Sequence, residues 1–309
     1  MRKPNFFIVG APKSGTTAMY RYLKDHPDVF MPERKEAHFF GSDMRSPLFV
    51  DSLDRYLERF EPAQQQKRIG EAAIWYLMSE CAAAEIKAFD PQAKIIAMLR
   101  NPADMIYSYH SQRLYNGNED VEDFAQALRL EPQRQNGEHL PADPHPVHGL
   151  IYHDIPKYYR QVERYFDVFG RENVKVILFD EFSADTAAVF SDTLDFLGVD
   201  NRYTPTFRVV NPNRRIRSGR LKKFIYHPPQ ALIRLARLLF PKHLRRKLVK
   251  GLVDVNTKPV KRKEMSLALR AELNDYYRED VRALGKLLDK DLLSLWLGDA
   301  DKRGRNHAG

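Results

Sequence analysis

The sequence predicts an α/β domain built on a central parallel β-sheet flanked by helices, with a basic helical C-terminal part. Three observations predict it. The chain opens with a strand pattern, a glycine-bounded loop and a helix pattern. Further apolar runs of strand length recur between helical stretches, and the segment from Met265 to Leu297 returns to helical periodicity. Uninterrupted apolar strands are what a parallel sheet covered by helices on both faces requires.

The elements follow in order. Asn5 to Gly10 reads as the first strand, Ala11 to Gly15 as a tight loop, and Thr16 onward as a helix. Met19, Tyr22 and Leu23 form its buried stripe, and it ends near His26-Pro27. Lys94 to Leu99 is a second strand, stopped by Arg100-Asn101-Pro102, with Pro102 opening the next helix. Glu131 to His148 contains Pro132, Pro141, Pro144, Pro146 and Gly137, and reads as a long surface loop. Pro156 to Phe169 is helical, with Tyr158, Tyr159, Val162, Tyr165 and Phe166 on one face. Asn173 to Phe179 is a third strand, followed by Asp180-Glu181 and a helix through Ala187 to Leu197. Leu267, Leu269, Leu273, Leu284 and Leu288 carry the C-terminal periodicity. The expected organisation is one domain, with residues 1–210 as the α/β core and residues 211–309 completing or extending it.

Composition bounds the function classes. The chain has 309 residues, 43% hydrophobic and 29% charged, which suits a soluble globular core and excludes a disordered or fibrous chain. The lone Cys81 excludes an internal disulfide and a four-cysteine zinc site, and fits a reducing compartment. No apolar run approaches the roughly 20 residues that span a bilayer. With a strand pattern at residue 6, no signal peptide or anchor is expected before the fold, and a cytoplasmic location is expected.

The formal net charge is +9, unevenly placed: Asn211 to Lys263 holds 17 Lys or Arg and one acidic residue, Asp254. The rest of the chain is therefore net acidic. Residues 227–252 alternate leucines with Arg234, Arg237, Arg245, Arg246 and Lys247. Two readings stay open: a peripheral contact with an anionic membrane or polyanion, or a solvated basic face whose leucines pack on the domain. Sparse aromatics argue against nucleic acid. The histidines show no metal-ligand spacing, so no metal is expected.

Gly10-Ala-Pro-Lys-Ser-Gly15-Thr16-Thr17 is the strongest local signal. Two glycines between a strand and a helix let backbone N–H groups converge on an anion at the helix N-terminus. The glycine spacing resembles a Walker-type phosphate loop. There, however, a Lys and a Ser or Thr follow the second glycine, whereas here Lys13 lies inside the loop and two threonines follow. A lysine so placed reaches a bridging oxygen, and Ser14, Thr16 and Thr17 supply donors to non-bridging ones. A P-loop kinase or NTPase is the second reading, disfavoured by the position of Lys13 and by the lack of a convincing Walker-B-like aspartate. Arg100 falls at the C-terminal end of a strand, where open α/β sheets bind ligands, and Ser108 lies two turns into the next helix. Together they suit a phosphate. The alternative for Arg100 is a surface ion pair with Asp104.

Pro12 to Thr17, directly after a strand, resembles the 5′-phosphosulfate loop of the sulfotransferases that use 3′-phosphoadenylyl sulfate (PAPS). Lys35-Glu-Ala-His-Phe-Phe40 resembles the K-E-x-H-F-F segment of the heparan-sulfate-type branch. Gly70-Glu-Ala-Ala-Ile-Trp-Tyr-Leu77 is similar to its G-E-x-(S/T)-P-x-Y-(F/L) segment, and Ile95 to His110 to its 3′-phosphate strand and helix. The matches occur in family order from Phe6 to about Gly117.

The resemblance implies a P-loop-like sulfotransferase fold, with PAPS as co-substrate, 3′-phosphoadenosine 5′-phosphate (PAP) as product and no metal. It implies that Pro12, Lys13, Ser14, Gly15, Thr16 and Thr17 hold the 5′ side and that Arg100 and Ser108 hold the 3′-phosphate. Arg217 and Ser218 would lie in a basic loop closing over the nucleotide. Glu36 would be the general base, Lys13 would stabilise the leaving group, and His38 would orient the acceptor or Glu36, or itself be the base. His38 shares a face with Glu36 if that stretch is extended. The implied acceptor is a hydroxyl of a carbohydrate, a lipid or a small natural product, with an amine second. Ala72 and Ala73-Ile74 depart from the family's lysine and S/T-P pair, which weakens transfer of polysaccharide specificity. Trp75 and Tyr76 read as core or cleft wall.

Overall fold

The computed structural model describes residues 2–44, 46–47, 49–207, 214–216, 241, 251, 257–259 and 263–298. Arg217 and Ser218 lie outside the described residues, as do residues 227–252 apart from Pro241 and Gly251.

Five parallel strands form the central sheet in the order β2-β3-β1-β4-β5. They are β1 (Phe6–Gly10), β2 (Val29–Phe30), β3 (Arg68–Ala72), β4 (Lys94–Leu99) and β5 (Val174–Leu178). The helices are α1 (Thr16–Lys24), α2 (Leu53–Leu57), α3 (Ala82–Phe89), α4 (Pro102–Asn116), α5 (Phe124–Arg129), α6 (Glu131–Gln135), α7 (Tyr158–Phe169), α8 (Phe179–Ala184) and α9 (Thr186–Leu197). The C-terminal helices are α10 (Leu267–Tyr276) and α11 (Arg278–Leu288). Arg214–Ile216 and Thr257–Pro259 form a separate antiparallel pair.

The apolar runs are continuous because both faces of the sheet are covered. Phe7, Val9, Ile95, Ala97 and Leu99 point into one core with Ile86, Ile106, Tyr158, Val162 and the C-terminal Leu273, Val281, Leu284 and Trp296. The alternate residues Phe6, Ile8, Ile96, Met98 and Ile177 point into the other, against Met19, Leu23, Phe190 and Leu194. Each such burial is worth about 1.5–3 kcal/mol.

The expected loop from Glu131 to His148 is partly corrected. Its first residues form α6, and Arg134 is fully buried in a two-bond ion pair with Glu119 (2.7 and 2.8 Å), which also accepts from the Tyr152 hydroxyl. Arg113 donates to the carbonyls of Pro144 and Pro146. A buried guanidinium needs these acceptors, so the proline-rich segment is pinned.

β1 and β4 are neighbours, yet the chain leaves β1 toward β3 and β2 and leaves β4 toward β5. The connections after β1 and β4 therefore diverge at the C-terminal edge of the sheet, the position at which such folds bind ligands.

Candidate active site

The loop after β1 is shaped by backbone geometry. Gly15 caps α1 with φ 90°, and no side chain caps that helix. A Cβ on Gly15 would come within 3.1 Å of the Phe182 ring and 3.2 Å of Met98 Cε. The positive φ and the close approach both demand glycine. Lys13 also has positive φ, 57°. Pro12, Ser14 and Thr16 are buried, and Ser14 Oγ donates to Pro12 O at 3.2 Å.

Arg100 stands just past β4, half-buried. Its Nη1 donates to Lys13 O at 3.2 Å, and its guanidinium lies over the Phe179 ring, 4.6 Å from the centroid. The alternative pairing with Asp104 is not the one adopted: Asp104 pairs with Arg270 of α10 at 2.6 Å. Asn101 caps α4 by accepting from Asp104 N, and Ser108 is buried within that helix.

The segment from Lys35 to Phe40 is not extended, because Glu36 and His38 both have positive φ, 67° and 50°. It nevertheless brings the two side chains together, with His38 Nε2 3.6 Å from Glu36 Oε2. Glu36 N donates to Ala72 O at 3.0 Å, and Ile74 N donates to Glu36 Oε2 at 3.0 Å, so the end of β3 fixes both backbone and carboxylate. Lys35 Nζ donates to Thr16 Oγ1 at 3.2 Å and pairs with Glu36, joining the loop to the carboxylate. His38 is stacked on Phe49, and burial holds its imidazole below the ordinary range, opposed by the Glu36 charge.

Behind this segment, Glu71 is fully buried and accepts from the hydroxyls of Tyr56 and Tyr76, the latter at 2.6 Å. The Tyr76 oxygen in turn accepts from the N–H groups of Phe39 and Phe40. Burial pushes the Glu71 carboxyl up to about 7, against the lowering effect of the two tyrosines. Trp75 and Tyr76 are core residues.

The loop residues, Arg100, Glu36 and His38 thus share the C-terminal edge of β1, β3 and β4. Sequence reasoning gave no role to Lys35, although it stands inside a quoted motif. It also passed over the Ile74 N–H, the Phe179 ring and Tyr158, whose buried hydroxyl lies against Ser14 and the Arg100 backbone. These depend on tertiary approach, and no local pattern signals them.

An open parallel sheet with a glycine-bounded loop after β1 and an arginine after the adjacent β4 defines a P-loop-like α/β protein. The model of the sulfotransferase domain family matches residues 3–211. The chain belongs to that family. It is similar to the crystal structure of a sulfotransferase from Alicyclobacillus acidocaldarius, with 30% identity and a TM-score of 0.73, over 96% of this chain and 100% of that one. Among curated relatives it is 23% identical over 273 residues to the membrane-associated sulfotransferase kil1 of Dictyostelium discoideum, covering 64% of this chain and 56% of that protein. It is 28% identical over 210 residues to the bifunctional heparan sulfate N-deacetylase/N-sulfotransferase 4 of Mus musculus, covering 65% and 23% respectively. The matched region is thus little over half of the first relative and about a quarter of the second.

Proposed function

We propose that this protein transfers the sulfuryl group of PAPS to an acceptor hydroxyl. The observation that carries the reading is the double contact of Lys35 with Thr16 of the loop and with Glu36. It joins the loop after β1 to the Glu36 carboxylate, which supports assigning both to one site. Backbone geometry supports the same residues. Among the described residues five non-glycine positions have positive φ, and three of them are Lys13, Glu36 and His38. Such strain persists where the surroundings enforce it and gathers at functional sites.

In the proposed reaction Glu36 takes the proton of the acceptor hydroxyl as its oxygen bonds to sulfur, with His38 orienting the carboxylate. The bond from sulfur to the bridging phosphate oxygen breaks in line, and its electron pair leaves with PAP. Lys13 compensates the charge developing on that oxygen, and Ser14, Thr16 and Thr17 donate to the non-bridging oxygens. Arg100 and Ser108 take the 3′-phosphate, with Arg217 and Ser218 closing over the nucleotide. The acceptor belongs to the hydroxyl-bearing carbohydrates, lipids or small natural products. Residues 227–252 form the peripheral membrane contact, a reading favoured by their alternating leucines and basic residues and by the membrane association of the kil1 relative. Charge reversal at Arg245, Arg246 and Lys247 is expected to abolish sedimentation with phosphatidylserine vesicles, and unchanged sedimentation overturns that contact.

Calorimetric titration with PAP tests the nucleotide site. Lys13→Ala and Arg100→Ala are each expected to weaken PAP binding by at least about tenfold, the loss of one charge-assisted contact. Arg100→Ala is expected to leave adenosine 5′-phosphate binding nearly unchanged. Equal affinity of the wild type for the two nucleotides overturns the 3′-phosphate assignment. Transfer from labelled PAPS across hydroxyl and amine acceptors then identifies the acceptor class.

A further inference from the structure

Trp296 belongs to the short helical turn Leu293–Leu297, far in sequence from every site motif. It is 2% exposed. It touches three places that surround Arg100. Its carbonyl accepts from Asn101 Nδ2 at 2.6 Å, and Asn101 is the residue after Arg100. Its indole Nε1–H donates to Asp180 Oδ2 at 2.9 Å, and Asp180 follows Phe179, whose ring underlies the Arg100 guanidinium. Its ring lies 6.3 Å from that of Tyr158, whose hydroxyl rests against Ser14 and the Arg100 backbone.

We propose that Trp296 is a positioning residue for Arg100, a clamp through which the C-terminal part of the chain sets recognition of the nucleotide's 3′-phosphate. The proposal rests on the reading of Arg100 as the 3′-phosphate ligand. A guanidinium reads a phosphate through a planar fork, so its affinity depends on how well its orientation is fixed beforehand. Two contacts fix it here: the bond to Lys13 O and the face of Phe179. Trp296 holds the residue next to each side of that arrangement, Asn101 in the strand-to-helix turn and Asp180 in the first turn of α8. Loss of the indole donor frees α8 to shift relative to α4, and Phe179 moves with it. The 5′ side of the nucleotide is held by the loop, which meets α8 only where Phe182 faces Gly15, so the change is expected to fall first on Arg100, whose guanidinium lies on Phe179.

The test uses the full chain and three variants: Trp296→Phe, which removes the indole donor together with part of the buried ring, Asp180→Ala, which removes its acceptor and keeps the ring, and the double variant. Each is titrated with PAP and with adenosine 5′-phosphate, and its melting temperature is measured. Trp296→Phe is expected to weaken PAP binding about 5- to 10-fold, less than the roughly 10- to 150-fold of a direct hydrogen bond to a charged group because the effect reaches the phosphate through Arg100, with less than about a twofold change for adenosine 5′-phosphate. Asp180→Ala is expected to give the same selective loss. The double variant is expected to lose no more than either single one, because both act through one bond. Equal loss of both nucleotides assigns Trp296 a general packing role and overturns the clamp, as does unchanged PAP affinity. If Trp296→Phe fails to fold, Asp180→Ala alone decides by the same criterion. A wild type that does not distinguish the two nucleotides overturns the Arg100 reading itself, and with it the clamp.

Discussion

Glu36 and His38 are separable by what each can lose. Glu36→Gln keeps an acceptor for the Ile74 N–H, so the fold and the loop contacts remain, but an amide takes no proton. It is expected to lower kcat by about 10²- to 10⁴-fold, with PAP affinity nearly unchanged, measured by sulfate transfer and titration. His38 predicts a pH profile. Burial, with Lys35 and Arg59, keeps its pKa below the ordinary 6.5, so the imidazole is neutral at pH 7. A rate that needs neutral His38 therefore declines in acid with its midpoint below pH 6.5. A decline centred at or above pH 6.5 would falsify that assignment. Glu71 gives a stability profile of opposite sign. Its carboxyl is raised from 4.5 to about 7, so between those values the folded state keeps a proton that the unfolded state has released. Stability falls as pH rises through that window, by an amount on the order of 3 kcal/mol. Glu71→Gln is expected to remove this component, flattening the urea midpoint between pH 5 and 8. A midpoint that keeps its wild-type slope in this variant locates the pH dependence elsewhere.

At the scale of elements, β1, β4 and β5 were legible in the sequence because each carries a nearly unbroken apolar run, as strands between two helix layers must. β2 and β3 were not. β2 is two residues long, and β3 reads Arg-Ile-Gly-Glu-Ala, with Glu71 buried among tyrosines that lie elsewhere in the chain. α6 was hidden for a similar reason, since Pro132 suits a first helical turn as well as a loop, and Arg134 has no sequence neighbour that marks it as internal. The Arg134–Glu119 pair is the element-scale test. Both side chains are fully buried. Arg134→Met leaves the Glu119 carboxylate without its main partner and is expected to cost about 3–5 kcal/mol in urea unfolding. Replacing both, Glu119→Leu with Arg134→Met, is expected to recover most of that loss. A single variant as stable as wild type means that the pair does not hold the proline-rich segment.

For the whole molecule, the net charge of +9 was a poor pointer to the site. Lys13, Lys35 and Arg100 belong to the part of the chain that is net acidic, and the basic residues gather between Asn211 and Lys263. The candidate motifs were legible because a glycine-bounded loop and a strand-end arginine are local devices, each encoded within a short stretch of the chain. What closes around them was not, since Asn101 and Trp296 meet across 195 positions. The same long-range closure predicts the fate of a shortened chain. The family match ends at residue 211, yet Met265, Leu273, Tyr277, Val281, Leu284, Leu292 and Trp296 are buried in the core that covers one face of the sheet. Polar ties run alongside them: Arg270 to Asp104, Tyr107 to the Lys263 carbonyl, and Asp280 to the N–H of Tyr159. At about 1.5–3 kcal/mol per buried apolar side chain, their removal forfeits roughly 10–20 kcal/mol, as much as or more than the roughly 5–15 kcal/mol by which a domain is stable. A chain ending at residue 210 is therefore expected to lack a cooperative thermal transition and to bind no PAP. If it melts cooperatively within a few degrees of the full chain, the sheet is self-sufficient and the C-terminal helices are an appendage; loss of both properties makes residues 263–298 part of the same folding unit.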